Sequence, residues 1–158
     1  MYKHILLPVD GSRLSEDAAK MGIAIARSMG ARVTAFHVVP DSNATVLDAW
    51  THAGKEYAGK LAETFEARGE QYVSEVRDAA RLSGVPCECR IAHGPSPHAG
   101  ILAEAREAQC DLIVMASHGR GDPLDELVDS ETVKVVMRGD TPVLVHHVRR
   151  DRDRRASA

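Results

Sequence analysis

Residues Met115 to Thr132, MASHGRGDPLDELVDSET, are the stretch whose residue types and spacing could hold a charged ligand. They begin where an apolar run ends, and their first half is small and glycine-bearing, like a loop that wraps phosphates. Such a loop needs backbone N–H groups turned inward at the start of a helix, whose dipole favours an anion. Glycine supplies positive φ and lets the backbone approach the phosphate oxygens closely. Against this, Asp129 stands one residue before Ser130, with further carboxylates at Asp122, Asp125 and Glu126 and one cation, Arg120. The same residues also make a good helix start, because Asp129 or Ser130 can accept from free amides as N-cap. For Ser130 capping is the plainer role and phosphate contact the more specific one; the two are compatible.

Other constellations carry less. No GxxxxGK occurs, and GRG is too short for a dinucleotide fingerprint. Cys87, Cys89 and His93 share one face of a strand, but residues two apart there are ~6.6 Å apart. That is too wide for easy adjacent placement around one zinc, so small buried thiols are expected. Ser12, Ser117 and His118 lie on candidate loops, yet nothing in the pattern orients a base on a serine. A binding protein is expected rather than an enzyme.

The apolar pattern says which elements must position these residues. HILLPV (4–9), ended by DGS, is a buried strand followed by a turn. From Arg13 to Met29, Leu14, Ala18, Met21, Ile25 and Met29 recur at steps of three and four, the stripe of an amphipathic helix, closed by Gly30. RVTAFHVV (32–39) is a second strand, ended by Pro40. Residues 41–55 are mixed, and Gly54 and Gly59 count against a helix there. The helical period returns from Lys60 to Leu82, where Gly69 is a soft point costing ~1 kcal/mol relative to alanine, and Gly84 closes it. PCECRIAH (86–93) is a third strand, His98 to Ala108 a helix, and DLIVMA (111–116) a fourth strand. Glu131 to Arg138 is a last helix capped by Gly139, and TPVLVHHV (141–148) a fifth strand.

The order βαβαβαβαβ, with near-continuously apolar strands, predicts a parallel sheet covered on both faces. Right-handed crossovers make this a doubly wound, Rossmann-like α/β fold with five strands and helices on both faces. Ligands in such folds sit beyond the carboxyl ends of the strands where the strand order reverses. The candidate segments are therefore Asp10 to Ser12, Val38 to Pro40, and Ala116 to Ser130. A chain of 158 residues fits one domain, expected over 1–148. The last ten residues carry five Arg against two Asp, +3, which leaves −6 on residues 1–148 of a chain at −3. They have nothing large and apolar to pack and are expected to form a disordered basic tail (149–158). The negative net charge argues against nucleic acid as main partner, and no apolar run reaches the ~20 residues of a membrane span. Three cysteines with no disulfide framework, and no signal-peptide pattern at the start, fit a reducing cytoplasm.

HILLPVDGS, HVVP, DLIVMASHGRG and TPVLV, taken together, resemble the universal stress protein family over residues 2–148. In the nucleotide-binding branch the loop after strand four reads Gly, two residues, Gly, nine residues, Gly, then Ser or Thr. Laid on this chain, those positions hold Ala116, Gly119, Asp129 and Ser130, so the first and third glycines are replaced. The resemblance further implies adenine and ribose contacts from Pro8, Val9 and Asp10, from Val38 and from Met115. His118, Arg120 and Thr132 also fall where such proteins line the site.

Ala116 adds one methyl and leaves the loop neutral. Asp129 has the larger effect: a carboxylate ~4 Å from one phosphate charge, at an effective dielectric of ~20, costs about 4 kcal/mol, a loss of roughly a thousandfold in affinity. ATP binding is expected to be weakened, while AMP or an adenosine-type ligand could still use the intact side. A divalent cation such as Mg²⁺, bridging Asp129 to phosphate oxygens, would reverse that sign. The resemblance also implies a homodimer paired through the last strand (142–148). The alternative expectation is a nucleotide-free dimeric interaction protein, like the branch that lacks the glycine loop.

Overall fold

The structure, a computed structural model, describes residues 1–40, 52–117 and 130–147, with residues 52–58 as backbone only. Nine elements alternate along the described chain: β1 (His4–Pro8), α1 (Arg13–Met29), β2 (Arg32–Pro40), α2 (His52–Leu82), β3 (Cys87–Gly94), α3 (Pro97–Glu107), β4 (Leu112–Ser117), α4 (Glu131–Arg138) and β5 (Val143–His147). All strand pairs are parallel and the order is β3-β2-β1-β4-β5. This is the doubly wound α/β fold that the apolar runs predict.

Successive residues on a strand point to opposite faces, and here both faces are apolar because both are covered. Ile5, Leu7, Val33, Ala35, Leu112 and Val114 pack with Ala19, Ile23 and Ala26 of α1 and Val73, Val76 and Ala80 of α2. Their neighbours Leu6, Phe36, Val38, Ile113 and Met115 pack on the other side with Ile101 and Ala105 of α3 and Val135 of α4. Burying each large aliphatic or aromatic side chain contributes about 1.5–3 kcal/mol, so the central strands dominate the stability. No helix among the described residues is long and apolar enough to cross a membrane.

Three local expectations need correction. The face that α1 buries is Ser15, Ala18, Ala19, Gly22, Ile23 and Ala26, turned from the predicted stripe, and Met21 is 40% exposed. Small residues line the contact because α1 lies close on the sheet: a Cβ at Gly22 would stand 2.3 Å from Leu7 Cδ2. The helix α2 starts at His52 and so runs through Gly54 and Gly59. Two glycine penalties of ~1 kcal/mol are small beside the cooperative gain of propagating a long packed helix. Gly139 caps α4 as expected, in extended geometry (φ −92°), its N–H donating to Val135 O. Gly69 proves to be more than a soft point. A Cβ there would lie 2.7 Å from His37 Cδ2, so its bare backbone is what lets α2 close over the end of β2.

From β1 the chain winds outward through β2 to β3, then crosses back to β4 and continues to β5. The connections leaving β1 and β4 therefore diverge, opening a crevice above their carboxyl ends.

Candidate functional site

One wall of the crevice is built by the turn after β1 and by hydrogen bonds from it to β2. Val9 N donates to Phe36 O at 2.8 Å, carrying the β1–β2 ladder one residue past the strand. Asp10 Oδ1 accepts from Ser12 N at 2.9 Å, and Asp10 N donates to Ser15 Oγ at 3.3 Å. Ser12 caps α1, its Oγ accepting from Ser15 N at 3.2 Å. Burial pushes the Asp10 carboxyl up, but hydrogen bonds from Ser12 and Ser15 together hold it below its ordinary value. Asp10 is thus an oriented, ionised acceptor. His37 is equally fixed: its Nδ1 lies 2.7 Å from Val9 O, and its ring meets Tyr72 edge-on at 5.4 Å and 78°. A carbonyl only accepts, so the His37 ring proton sits on Nδ1.

The opposite wall comes from β4, α3 and α4. Thr132 is buried and its hydroxyl donates to Ala116 O at 2.7 Å, fixing the start of α4 to the end of β4. Ser130 holds the N-cap position of α4, but its hydroxyl makes no capping bond. The capping role expected of Ser130 is therefore not exercised. Glu131 Oε2 accepts from His98 N at 2.7 Å and from His98 Nδ1 at 2.8 Å, and Oε1 accepts from Lys134 Nζ at 3.1 Å. Arg138 Nη1 lies 2.9 Å from His98 Nε2. A guanidinium only donates, so Nε2 accepts and the His98 proton is on Nδ1, directed at Glu131. Burial raises the Glu131 carboxyl, but the His98 and Lys134 hydrogen bonds lower it further, leaving it below its ordinary value.

Between these walls lies a cavity of about 180 Å³. Of the residues singled out from the sequence, Pro8, Val9, Asp10, Val38, Met115 and Ala116 line it together. Thr132 stands behind the wall, its hydroxyl committed to Ala116. His118, Gly119, Arg120 and Asp129 lie outside the described residues. The cavity also takes in Phe36, His37, Pro97, Ile101 and Glu131, which the sequence did not single out. Glu131 had a local signal only as a first-turn acid of α4; its partner His98 is 33 positions away on another helix. A separate cavity of about 90 Å³ lies between α1 and α2, bordered by Ile23, Tyr72 and Val76.

The thiols lie elsewhere. Cys87 and Cys89 are half-buried under α2, and burial pushes the Cys87 thiol up to about 11. His93 is held by Glu66 at 2.6 Å. Among the described residues no group of three or more ligating side chains could hold a metal ion.

Comparison with known proteins agrees with this architecture. Residues 1–147 match the model of the universal stress protein family. A universal stress protein of Methanocaldococcus jannaschii is 32% identical over 146 residues, covering 92% of this chain and 82% of its own. The structure of a universal stress protein from Lactobacillus plantarum superposes with a TM-score of 0.75 at 27% identity, covering 91% of this chain and 97% of that one. Two further family structures share the fold at lower identity. One, in complex with cAMP, has a TM-score of 0.70 at 22% identity and covers 92% of this chain and 97% of its own. The other, from Archaeoglobus fulgidus in complex with dAMP, has a TM-score of 0.60 at 19% and covers 91% and 97%. With residues 1–147 matched by the family model and a relative 32% identical over 92% of this chain, the chain belongs to the universal stress protein family.

Proposed function

We propose that this protein is a non-enzymatic, cytoplasmic stress-response regulator that binds an adenine ligand in the crevice between β1 and β4. The observation that carries this reading is the convergence of Pro8, Val9, Asp10, Val38, Met115 and Ala116 on one cavity at the switch point of the sheet. A planar base fits the apolar part of that wall, and the oriented Asp10 carboxylate is an acceptor for sugar hydroxyls. The cAMP and dAMP complexes of two family members support the same ligand class. AMP or adenosine-type ligands are favoured over ATP because of Asp129, and Mg²⁺ would be the ion that offsets it. Assembly is through β5. Among the described residues it is an edge strand, with Val143, Leu144 and Val145 only half-buried, so it offers backbone groups and apolar side chains to a second copy.

The test is isothermal titration with ATP, AMP and cyclic AMP, each with and without Mg²⁺, on the native protein and on Asp129→Gly. The expected result is binding of AMP by the native protein and a gain in ATP affinity in the variant. If none of these ligands, nor adenosine, binds either protein, the crevice is not an adenine site. The nucleotide-free dimer is then the better reading.

A further inference from the structure

Two carboxylates face the cavity: Asp10 from the end of β1 and Glu131 from the start of α4. The described residues that line it include no lysine or arginine, and the Lys134 ammonium that pairs with Glu131 at 3.1 Å is not among them. The rest of the wall is apolar, apart from the Ser12 and Ser15 hydroxyls and a His37 ring already bonded to Val9 O.

The free amides at a helix start are where a ligand's anionic group would settle. At α3 the chain supplies the anion itself. Ser96, at the N-cap position, makes no capping bond. In its place Glu131 reaches across from α4 and takes the His98 N–H, the His98 ring and the Lys134 ammonium.

We propose that Glu131 is the specificity residue of the crevice: its carboxylate fills the anion position at the start of α3, so the site takes an uncharged adenine nucleoside in preference to its phosphates. The proposal rests on the adenine-ligand reading above. A carboxylate can only accept hydrogen bonds. Ribose hydroxyls and the adenine amino group donate, whereas the ionised oxygens of a phosphate also only accept. The pair Asp10 and Glu131 therefore complements a nucleoside and repels the added phosphate.

The experiment measures dissociation constants of adenosine, AMP and ATP, without metal, for the native protein and for Glu131→Gln. Glutamine keeps the size of the side chain and an oxygen for His98 N, and removes the charge. The native protein should bind adenosine most tightly and ATP least. In the variant AMP should gain about tenfold relative to adenosine. That AMP gain is modest because the Glu131 side chain is 36% exposed and its field is partly screened. If adenosine binds both proteins but the AMP-to-adenosine ratio is unchanged in the variant, the role given to Glu131 is overturned and the adenine reading stands. If none of the three binds either protein, both fall together. A readout on the native protein needs no variant. Raising salt from about 0.02 to 0.5 M should improve AMP affinity relative to adenosine, because screening weakens repulsion. A fall in that ratio would mean that the site attracts phosphate and would overturn the proposal.

Discussion

The two walls of the crevice are held by different means. On the β1 side, Asp10, Ser12 and Ser15 bond one another within five residues, and each bond follows from the local turn into α1. On the α3–α4 side, the holding bonds join residues far apart in sequence: Thr132 to Ala116 across 16 positions and Glu131 to His98 across 33. The turn in the first wall is fixed as soon as α1 forms, while its bonds to Phe36 and His37 wait for β2. The second exists only when three separate elements have come together, so single substitutions should damage the two walls unequally.

Thr132→Val should have the largest effect. It keeps the shape of the side chain but leaves the Ala116 carbonyl without its donor, at a cost of about 1–3 kcal/mol in chemical denaturation. A loss under about 0.5 kcal/mol would mean that packing alone, with Val135 at its centre, holds α4 in place. Ser12→Ala removes the cap of α1 and should cost about 1 kcal/mol. Because β1 and Gly22 still seat α1 on Leu7, adenine-ligand affinity should change less than in Thr132→Val. Equal losses of affinity in the two variants would abolish the distinction between the walls.

The smallest effect concerns pH. The Glu131 carboxyl is held below its ordinary value of 4.5, so its bonds stabilise the fold fully above that pH. Their contribution is lost as pH falls through the lowered folded value. Native protein should therefore exceed Glu131→Gln in stability near neutral pH by under about 1 kcal/mol, discounted for exposure. The gap should close as pH falls below about 4.5. A gap that stays constant over that range would show that charge on Glu131 does not stabilise the α3–α4 contact.

The same contrast governs what could be read from the sequence. The strands were legible because both faces of a parallel sheet are apolar, so each one stands out as a continuous run such as HILLPV or DLIVMA. The α1 stripe was misplaced because its buried face is made of Ser, Ala and Gly, which carry little hydrophobic signal, while Met21 points outward. Gly54 and Gly59 concealed the start of α2, since propensity counts each residue alone and a long helix does not. Within the crevice, Asp10 was visible because a DGS turn after a first strand marks a switch point. His98 and Glu131 were not, because no local spacing announces a bond between two helix starts 33 residues apart.

The strand order also has a consequence for how the protein comes into being. β1 sits at the centre of the sheet, yet one of its two neighbours, β4, is more than a hundred residues later: Asp111 takes the Lys3 and His4 amides across 108 and 107 positions. During synthesis β1 leaves the ribosome early and must wait with an apolar edge unpaired until most of the chain has followed. Closure over such a separation is slow. The crevice, which lies between those two strands, can bind nothing until that step is complete, so a ligand there would report on finished molecules and ignore partly folded ones.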